Sequence, residues 1–572
     1  MPGLQHTPPE AAGAAWRRAF VCTIVAALMF AFTGLYRFNT LGGRFGGFDN
    51  DHFVPFAYAK QVQAGEQPLR DFDGLGLQGA WPSLTYETSA LTQRWFGDNL
   101  RSEALLTVAA VGLAAALTFL AAASVAPLAW AAAATLISVF VAPTLYNYPK
   151  VLVLSAAALT IAQYCRRSHV AGVVAGSVVT AIAFLFRHDL AVYAGVGLLL
   201  AYAVGSSRTE RIRRTGLYIA LTVVLLAPSL LWVQRHDGLV QYLRDGAALS
   251  EDEAERTELA VWPRFTQRDE SGNAVGIMQF LTVEQNGTAW LYYLTRLLPF
   301  AAAAFVWVRR AEREWSATRT AILAIAAMTA FASPLMIRGN VAVRLGDIGP
   351  LVAVLAAWTS HELARWRTGE PSAWRAARSV IIVAIVGATA LSTASVGFVW
   401  NQLGTAGLRH SWHATVYQTQ QLSTYLSTLP HSAIDQPSPE GPLDISQYIN
   451  RCTAPTDRVV MMTYQPELLP FAGRLFGAGR LSILPDYALN SRQEQSLVSR
   501  WRGQSVPLAF VEFQEFWSPD STSAPIVRGY LHERYADVGS MPVGSDRVLH
   551  VFAERARTPV RAFGRQNLPC FR

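Results

Sequence analysis

The chain has 572 residues, 51% of them apolar and only 15% charged, with a formal net charge of +8. That is too oily for an ordinary soluble protein. The positive charge is nearly all arginine, Lys60 and Lys150 being the only lysines; it collects beside apolar runs and forms no basic, aromatic-interleaved module, which argues against a nucleic-acid partner.

Taken in order, residues 1–18 form a cytoplasmic tail, Pro- and Ala-rich and expected to be disordered as far as Trp16, with Arg17 and Arg18 ahead of an apolar run from Ala19 to Tyr36. The run is near the ~20 residues that cross a bilayer, and no small-x-small site follows it cleanly, so a retained first span is favoured over a cleaved signal peptide. Next comes Gly46-Gly47-Phe48-Asp49-Asn50-Asp51-His52-Phe53, where two carboxylates one residue apart mark the change from apolar to polar chain. Phe56, Tyr58, Ala59 and Val62 follow at roughly helical spacing, which predicts a helix lying along the membrane surface. Residues 37–103 read as a first outer loop.

Further apolar runs cover Ala104–Ala123, Val125–Val141, Tyr148–Tyr164, Val170–Phe186, Leu190–Val204 and Leu217–Val233, then Leu291–Val308, Ala321–Ile337, Ile348–Thr359 and Val380–Trp400. Residues 19–400 therefore read as a polytopic α-helical membrane domain of about eleven spans. With the N-terminus inside, cytoplasmic segments hold Arg17, Arg18, Arg166, Arg167, Arg208, Arg211, Arg213 and Arg214. They also hold Arg309, Arg310, Arg313, Arg319, Arg365, Arg367, Arg375 and Arg378. Against these sixteen arginines, the short loops on the other side hold only Lys150, Arg187, Arg338 and Arg344. This asymmetry puts Asp49, Asp51 and everything after Trp400 outside.

The four outer cations sit in polar knots: Tyr146-Asn147-Tyr148-Pro149-Lys150, Phe186-Arg187-His188-Asp189, and Arg338-Gly339-Asn340 running to Arg344 and Asp347. Snorkelling or mutual pairing accounts for any one of them as well as function does. Three knots on the side of the acidic motif suit a lipid phosphate, which needs fixed positive charge at headgroup depth.

Residues 401–572 change character. Helical patterns at Asp444–Arg451 and Gln493–Trp501 alternate with strand patterns at Asp457–Thr463, Leu508–Phe513 and Val548–Phe552, which predicts a small extracytoplasmic α/β domain. Outside the cell Cys452 and Cys570 meet oxidising conditions; they are either joined in a disulfide that pins the tail or both free. Cys22 and Cys165 fall in or beside apolar runs and read as packing residues.

The order of acidic motif, helix, Gly65-Glu66-Gln67-Pro68-Leu69-Arg70-Asp71-Phe72, many-span body and outer α/β domain resembles the GT-C membrane glycosyltransferases. It is most similar to the protein-mannosyltransferase-like group, glycosyltransferase family 39 and its bacterial relatives. Members of that group often carry an aspartate after the first span and then Gly-x-x-Pro-Tyr-Arg-Asp-Phe; here Leu69 replaces the aromatic. Cys452-Thr453-Ala454-Pro455-Thr456-Asp457-Arg458-Val459 resembles the start of the outer domain in bacterial members. The resemblance implies a GT-C-like fold and a hexosyl- or pentosyltransferase using a polyprenyl-phosphate-linked sugar, with Asp49 or Asp51 acting as base or orienting the acceptor. One departure is the second outer loop, Ala142 to Lys150, which has no acid where protein mannosyltransferases carry one.

The residues themselves support that chemistry. Transfer to a hydroxyl needs a carboxylate to take the acceptor proton, and a low-dielectric boundary makes a carboxylate a better base. The leaving lipid phosphate needs cations, for which Tyr148, Lys150, Arg187, His188, Asp189, Arg338 and Arg344 are the candidate binding set. Asp49 and Asp51 offer hard oxygens to Mg or Mn, but two carboxylates alone are a weak metal set, and no other cofactor is expected. The plainer reading makes Asp51 a helix N-cap, His52 an interfacial packing residue and His188 structural. Asn286-Gly287-Thr288 matches a glycosylation acceptor, a weak signal. The expected partners are the donor, the bilayer and a glycan, lipid or protein acceptor, at a bacterial inner membrane. Two rivals remain: a lipid or sugar transporter or flippase, for which no convincing internal repeat is visible, and a non-catalytic scaffold of cell-envelope assembly.

Overall fold

The computed structural model describes all residues except 1–8, 44, 74–82, 142, 205–206, 259–261, 269–273, 275, 277–278, 310–315, 338–339, 366–371, 436–440, 485–488, 513–521 and 544–546. In chain order the helices begin with α1 (Pro9–Asn39), α2 (Asn50–Gln63), α3 (Leu84–Phe96), α4 (Leu100–Val125), α5 (Leu128–Val141), α6 (Tyr148–Arg167), α7 (Val170–Phe186) and α8 (His188–Ala203). They continue with α9 (Arg208–His236), α10 (Leu239–Glu258), α11 (Glu284–Val308), α12 (Ala317–Ala332), α13 (Val341–Arg344), α14 (Gly349–Arg365), α15 (Ser372–Val396), α16 (Val399–Thr405) and α17 (Trp412–Thr428). Last come α18 (Pro442–Cys452), β1 (Arg458–Met462), α19 (Leu468–Ala472), β2 (Leu475–Phe476), α20 (Ser491–Arg502), β3 (Leu508–Val511), α21 (Pro525–Arg534), β4 (Tyr535–Pro542), β5 (Val548–Glu554), β6 (Arg561–Phe563) and β7 (Leu568–Cys570).

The chain forms two compact units. The first comprises residues 1–40, 107–228 and 253–418. Among the described residues of the chain, seven helical stretches are long and apolar enough to cross a membrane: Trp16–Asn39, Leu100–Val125, Leu145–Arg167, Arg208–His236, Glu284–Val308, Val341–Arg365 and Ala376–Val396. Four shorter apolar helices, α5, α7, α8 and α12, occupy the remaining expected runs. Leu28, Val223, Val224, Val380 and Val383 stand exposed on these helices. Such continuous apolar faces are unfavourable in water and suit hydrocarbon, where a helix satisfies its own backbone. The chain is a multi-pass membrane protein. One expectation is corrected at the start: the segment up to Trp16 is not irregular throughout, because α1 reaches back to Pro9. Its Glu10-Ala11-Ala12-Gly13-Ala14-Ala15 stretch is rich in strong helix formers, and Pro9 is tolerated in a first turn. Residues 1–8 lie outside the described residues.

The second unit comprises residues 41–106, 229–252 and 419–572. Its five-stranded sheet has the order β2-β1-β3-β5-β4. The β2, β1 and β3 strands run parallel, with Val460 opposite Ala509, and β5 lies antiparallel to β3 and β4, with Phe510 opposite Val551. Val459 to Met462 are all buried, as expected of a central strand covered on both faces. Cys452 and Cys570 form a disulfide, and the Phe571 amide donates to the Cys452 carbonyl at 2.9 Å, so the tail is tied to the end of α18. Cys22 and Cys165 are half-buried thiols.

Helix α2 departs from expectation. It is a core helix of this unit, not one lying along a membrane surface: Phe53, Val54, Phe56, Ala57, Tyr58 and Ala59 are all buried. Phe56, Tyr58 and Ala59 suggest a single stripe, but Phe53, Val54 and Ala57 cover the remaining sides, so the helix has no solvent face to lay down. Its rings pack inside the unit, Phe53 on Phe471 at 5.7 Å and Tyr58 on Phe476 at 4.9 Å between centroids.

Candidate functional site

The acidic motif starts α2. The chain enters it through Gly46 and Gly47, both at positive φ; a Cβ on Gly47 would lie 2.6 Å from the Gly42 nitrogen, so only glycine makes this turn. The turn delivers Asp49 to the N-cap, where its Oδ1 accepts from the His52 amide at 3.3 Å. The cap is therefore Asp49, and Asp51, in the first turn, is left for another partner. That partner is the Tyr464 hydroxyl, which donates to Asp51 Oδ1. Burial raises the Asp49 carboxyl above the ordinary carboxylate range; the charge of His52 opposes the shift and that of Asp51 adds to it.

His52 is not interfacial. It is buried in the second unit, stacked on Phe48 at 4.1 Å between centroids, with Nε2 3.6 Å from Glu103 Oε2. Glu103 in turn accepts from Ser89 and, at 2.9 Å, from Gln93. Just past the C-terminal end of β1, Glu467 is buried with Oε2 lacking a hydrogen-bond partner, and burial pushes its carboxyl up to about 7. Sequence reasoning missed Tyr464, Glu103 and Glu467. The usable signal was position: Tyr464 and Glu467 follow a strand predicted to be buried, at the strand ends where α/β sheets carry their sites.

Lys150, Arg187 and Arg344, expected on the outer side, belong to the first unit. Lys150 Nζ donates to Asp347 Oδ2 at 2.7 Å, and Asn147 donates to the same oxygen at 3.2 Å. Arg187 grips Asp189 with two hydrogen bonds, 3.0 Å and 2.7 Å, and the Leu190 amide donates to Asp189 Oδ1. Arg187 and Arg344 both act electrostatically on Lys150. Tyr148 packs edge-on to Phe186 at 6.0 Å, and His188 lies against Phe184 at 4.4 Å. Lys150, Arg187, Arg344, Asp189 and Asp347 thus form one group, in which three cations meet two carboxylates. Arg338 lies outside the described residues, as do Arg310, Arg313 and Arg367 of the cytoplasmic set. In the same unit a cavity of about 300 Å³ opens between α5, α11, α14 and α15. Its lining is almost wholly apolar and runs from Leu345 and Gly349 to Leu363, about 20 Å of helix rise along α14.

Among the described residues no group of three or more His, Cys, Asp or Glu is placed to hold a metal ion. Asp49 and Asp51 have different partners, the His52 amide and the Tyr464 hydroxyl, each through its Oδ1. Asn286 is no glycosylation acceptor: its side chain is buried and bonded to Thr266 and Phe280.

No family model matches the chain, and no curated protein sequence matches it. Among solved structures it is similar to ArnT from Cupriavidus metallidurans bound to undecaprenyl phosphate, with 13% identity over 93% of this chain and 97% of that one, at a TM-score of 0.46. It is similar to the oligosaccharyltransferase of Archaeoglobus fulgidus in the apo form, with 13% identity over 94% and 74% of the two chains and a TM-score of 0.46. A third is oligosaccharyltransferase AglB from Archaeoglobus fulgidus with an inhibitory peptide and a dolichol-phosphate, with 12% identity over 95% and 75% and a TM-score of 0.44.

Proposed function

We propose that the chain is a membrane glycosyltransferase that moves a hexosyl or pentosyl group from a polyprenyl-phosphate-linked donor to a hydroxyl of a glycan, lipid or protein acceptor, on the outer face of a bacterial inner membrane. The observation that carries this reading is the acidic motif itself: one carboxyl raised by burial and a second oriented by a tyrosine. A carboxylate with a raised pKa is a stronger base toward an alcohol. In the proposed step the acceptor oxygen attacks the anomeric carbon while Asp49 or Asp51 takes its proton. The bond from that carbon to the phosphate oxygen breaks, and polyprenyl phosphate leaves with the electron pair.

Charge growing on the leaving phosphate is met, in this reading, by Lys150, Arg187 and Arg344, with Tyr148, His188 and Asp189 shaping the group and Arg338 as a further member. An ammonium has three donors, and Asp347 takes one of those of Lys150, leaving two for phosphate oxygens. The apolar cavity beside Leu345 and Gly349 suits an unsaturated hydrocarbon chain. The arginine asymmetry supports a cytoplasmic N-terminus.

That cavity is also what a lipid transporter would want, which keeps a second reading alive. Purified protein in lipid nanodiscs, given polyprenyl-phosphate sugars, should release polyprenyl phosphate and yield a glycosylated acceptor. Movement of labelled lipid across proteoliposomes without release would favour the transporter. Neither release nor movement would sink both.

A further inference from the structure

The second unit holds a cluster of hydrogen-bond donors that lack acceptors. Arg480 Nε lies 3.3 Å from Asp73 Oδ2, and Arg500 Nη1 lies 3.5 Å from Asp73 Oδ1, but neither approach has hydrogen-bond geometry and both nitrogens are buried unbonded. Tyr58 is within electrostatic reach of Arg480, Asp73 and Arg500, and its ring is 5.6 Å from that of Tyr86. Among the described residues the buried Tyr86 hydroxyl has no hydrogen-bond partner, and the buried Tyr58 hydroxyl, which the Leu481 amide approaches as a donor, has no acceptor for its own proton.

The arrangement is specific. The Asp73 amide donates to the Gly479 carbonyl at 2.8 Å. Gly479 sits at φ +75°, and a Cβ there would stand 2.7 Å from Arg500 Cδ and 2.8 Å from its Nη1; glycine is what lets the arginine cross the turn and reach Asp73. Side-chain exposure falls from 25% at Asp73 and 20% at Arg500 to 10% at Arg480, and both tyrosines are 3% exposed. Asp73 and Arg500 are therefore the exposed members of the cluster, and the phenols its most buried ones.

A buried donor without an acceptor costs about 1–3 kcal/mol. Those of Arg480, Arg500 and Tyr58 gather around Asp73, with Tyr86 beside Tyr58, and describe a site for acceptors beyond those that the described residues provide. Two guanidiniums against one carboxylate leave a positive charge. The other acids that feel Arg500, Asp71 and Asp237, are paired with Arg70 at 2.6 Å and Arg492 at 3.6 Å. We propose that Arg480, Arg500, Tyr58 and Tyr86 form an oxyanion site that takes a phosphate group, either free, on a sugar, or on a lipid headgroup, with Asp73 buttressing the two guanidiniums. Planar guanidinium forks match phosphate oxygens, and phenols add neutral donors. The inference goes beyond glycosyl transfer and stands whether or not the chain transfers a sugar.

The test uses the full chain in phosphatidylcholine nanodiscs, titrated with inorganic phosphate or glucose 6-phosphate and followed by thermal unfolding, with chloride at equal ionic strength as reference. A second arm replaces part of the lipid with phosphatidic acid and omits soluble phosphate. A saturable rise in midpoint is expected from at least one probe. A rise with the soluble probes assigns a soluble phosphate, and a rise only with phosphatidic acid assigns a headgroup. Arg500→Gln should weaken that binding by at least about tenfold, the loss expected of a charged hydrogen bond. Tyr86→Phe keeps the ring and its packing, so it stands in if Arg500→Gln fails to fold, and should weaken binding by about three- to tenfold. No saturable rise with any probe, or equal affinity in wild type and both variants, overturns the proposal.

Discussion

Asp347→Ala is the sharpest test of how the cation group in the membrane unit is held. The Lys150 and Asp347 side chains are 3% and 2% exposed and meet at 2.7 Å. Removing the carboxylate leaves a buried ammonium without its counter-charge, takes one of two acceptors from Asn147, and leaves Lys150, Arg187 and Arg344 facing one carboxylate instead of two. Breaking one side of a buried ion pair costs about 3–5 kcal/mol, whereas replacing both partners by apolar residues of similar size is often neutral. The double variant Lys150→Met with Asp347→Leu still costs Asn147 one of its two acceptors, Thr144 Oγ1 at 2.8 Å remaining, a loss of about 1 kcal/mol. Unfolding free energies in detergent or nanodiscs should therefore place Asp347→Ala about 3–5 kcal/mol below wild type and the double variant at least about 1 kcal/mol above the single one. A single variant that loses less than about 1 kcal/mol, or one no worse than the double, would refute the buried-pair reasoning.

Two further outcomes follow from the second unit. Burial lifts the Glu467 carboxyl from 4.5 to about 7, so the folded chain keeps a proton that the unfolded chain loses. Its contribution is full below the unfolded value and fades as pH rises through the folded one, by roughly 3 kcal/mol in all. Stability measured from pH 5 to pH 8 should decline in wild type and much less in Glu467→Gln; matching slopes would show that Glu467 is not the titrating group. The disulfide closes a segment with a sequence separation of 118, and Cys452→Ser with Cys570→Ser should cost on the order of 2–4 kcal/mol in unfolding experiments. A change below about 1 kcal/mol would mean that the tail is held by its backbone contacts instead.

What could be read from the sequence follows physical lines. The run Val170–Phe186 has the same bounds as α7 because Arg166 and Arg167 on one side and Arg187 on the other cut it off sharply. The core strands β1, β3 and β5 were legible because strands covered on both faces leave unbroken apolar runs. The edge strands β2 and β4 were not: one is two residues long, and the other alternates half-buried and exposed positions around Gly539. Helix α2 misled because three periodic apolar residues suggest a stripe, while the residues filling its other faces are visible only when Phe471 and Phe476 are brought in from far along the chain. The partners of the candidate residues in each unit are equally remote in sequence. Asp347 stands 197 residues from Lys150, and Tyr464 stands 413 from Asp51. Composition and spacing singled out Asp49, Asp51, Lys150 and Arg187; only folding shows that Asp49 is the cap, that Asp51 is held by a phenol, and that Lys150 and Arg187 each carry a carboxylate.

The central claim is that a carboxylate of the Asp49–Asp51 motif takes the acceptor proton. Its most direct test is the rate of sugar transfer from a polyprenyl-phosphate donor by wild type, Asp49→Asn and Asp51→Asn, each checked for an unchanged unfolding midpoint. The account predicts that at least one variant loses on the order of a hundredfold or more. If Asp49 is that residue, the acid limb of the wild-type profile should lie above the ordinary aspartate value of about 3.9. Full transfer by both variants would contradict it.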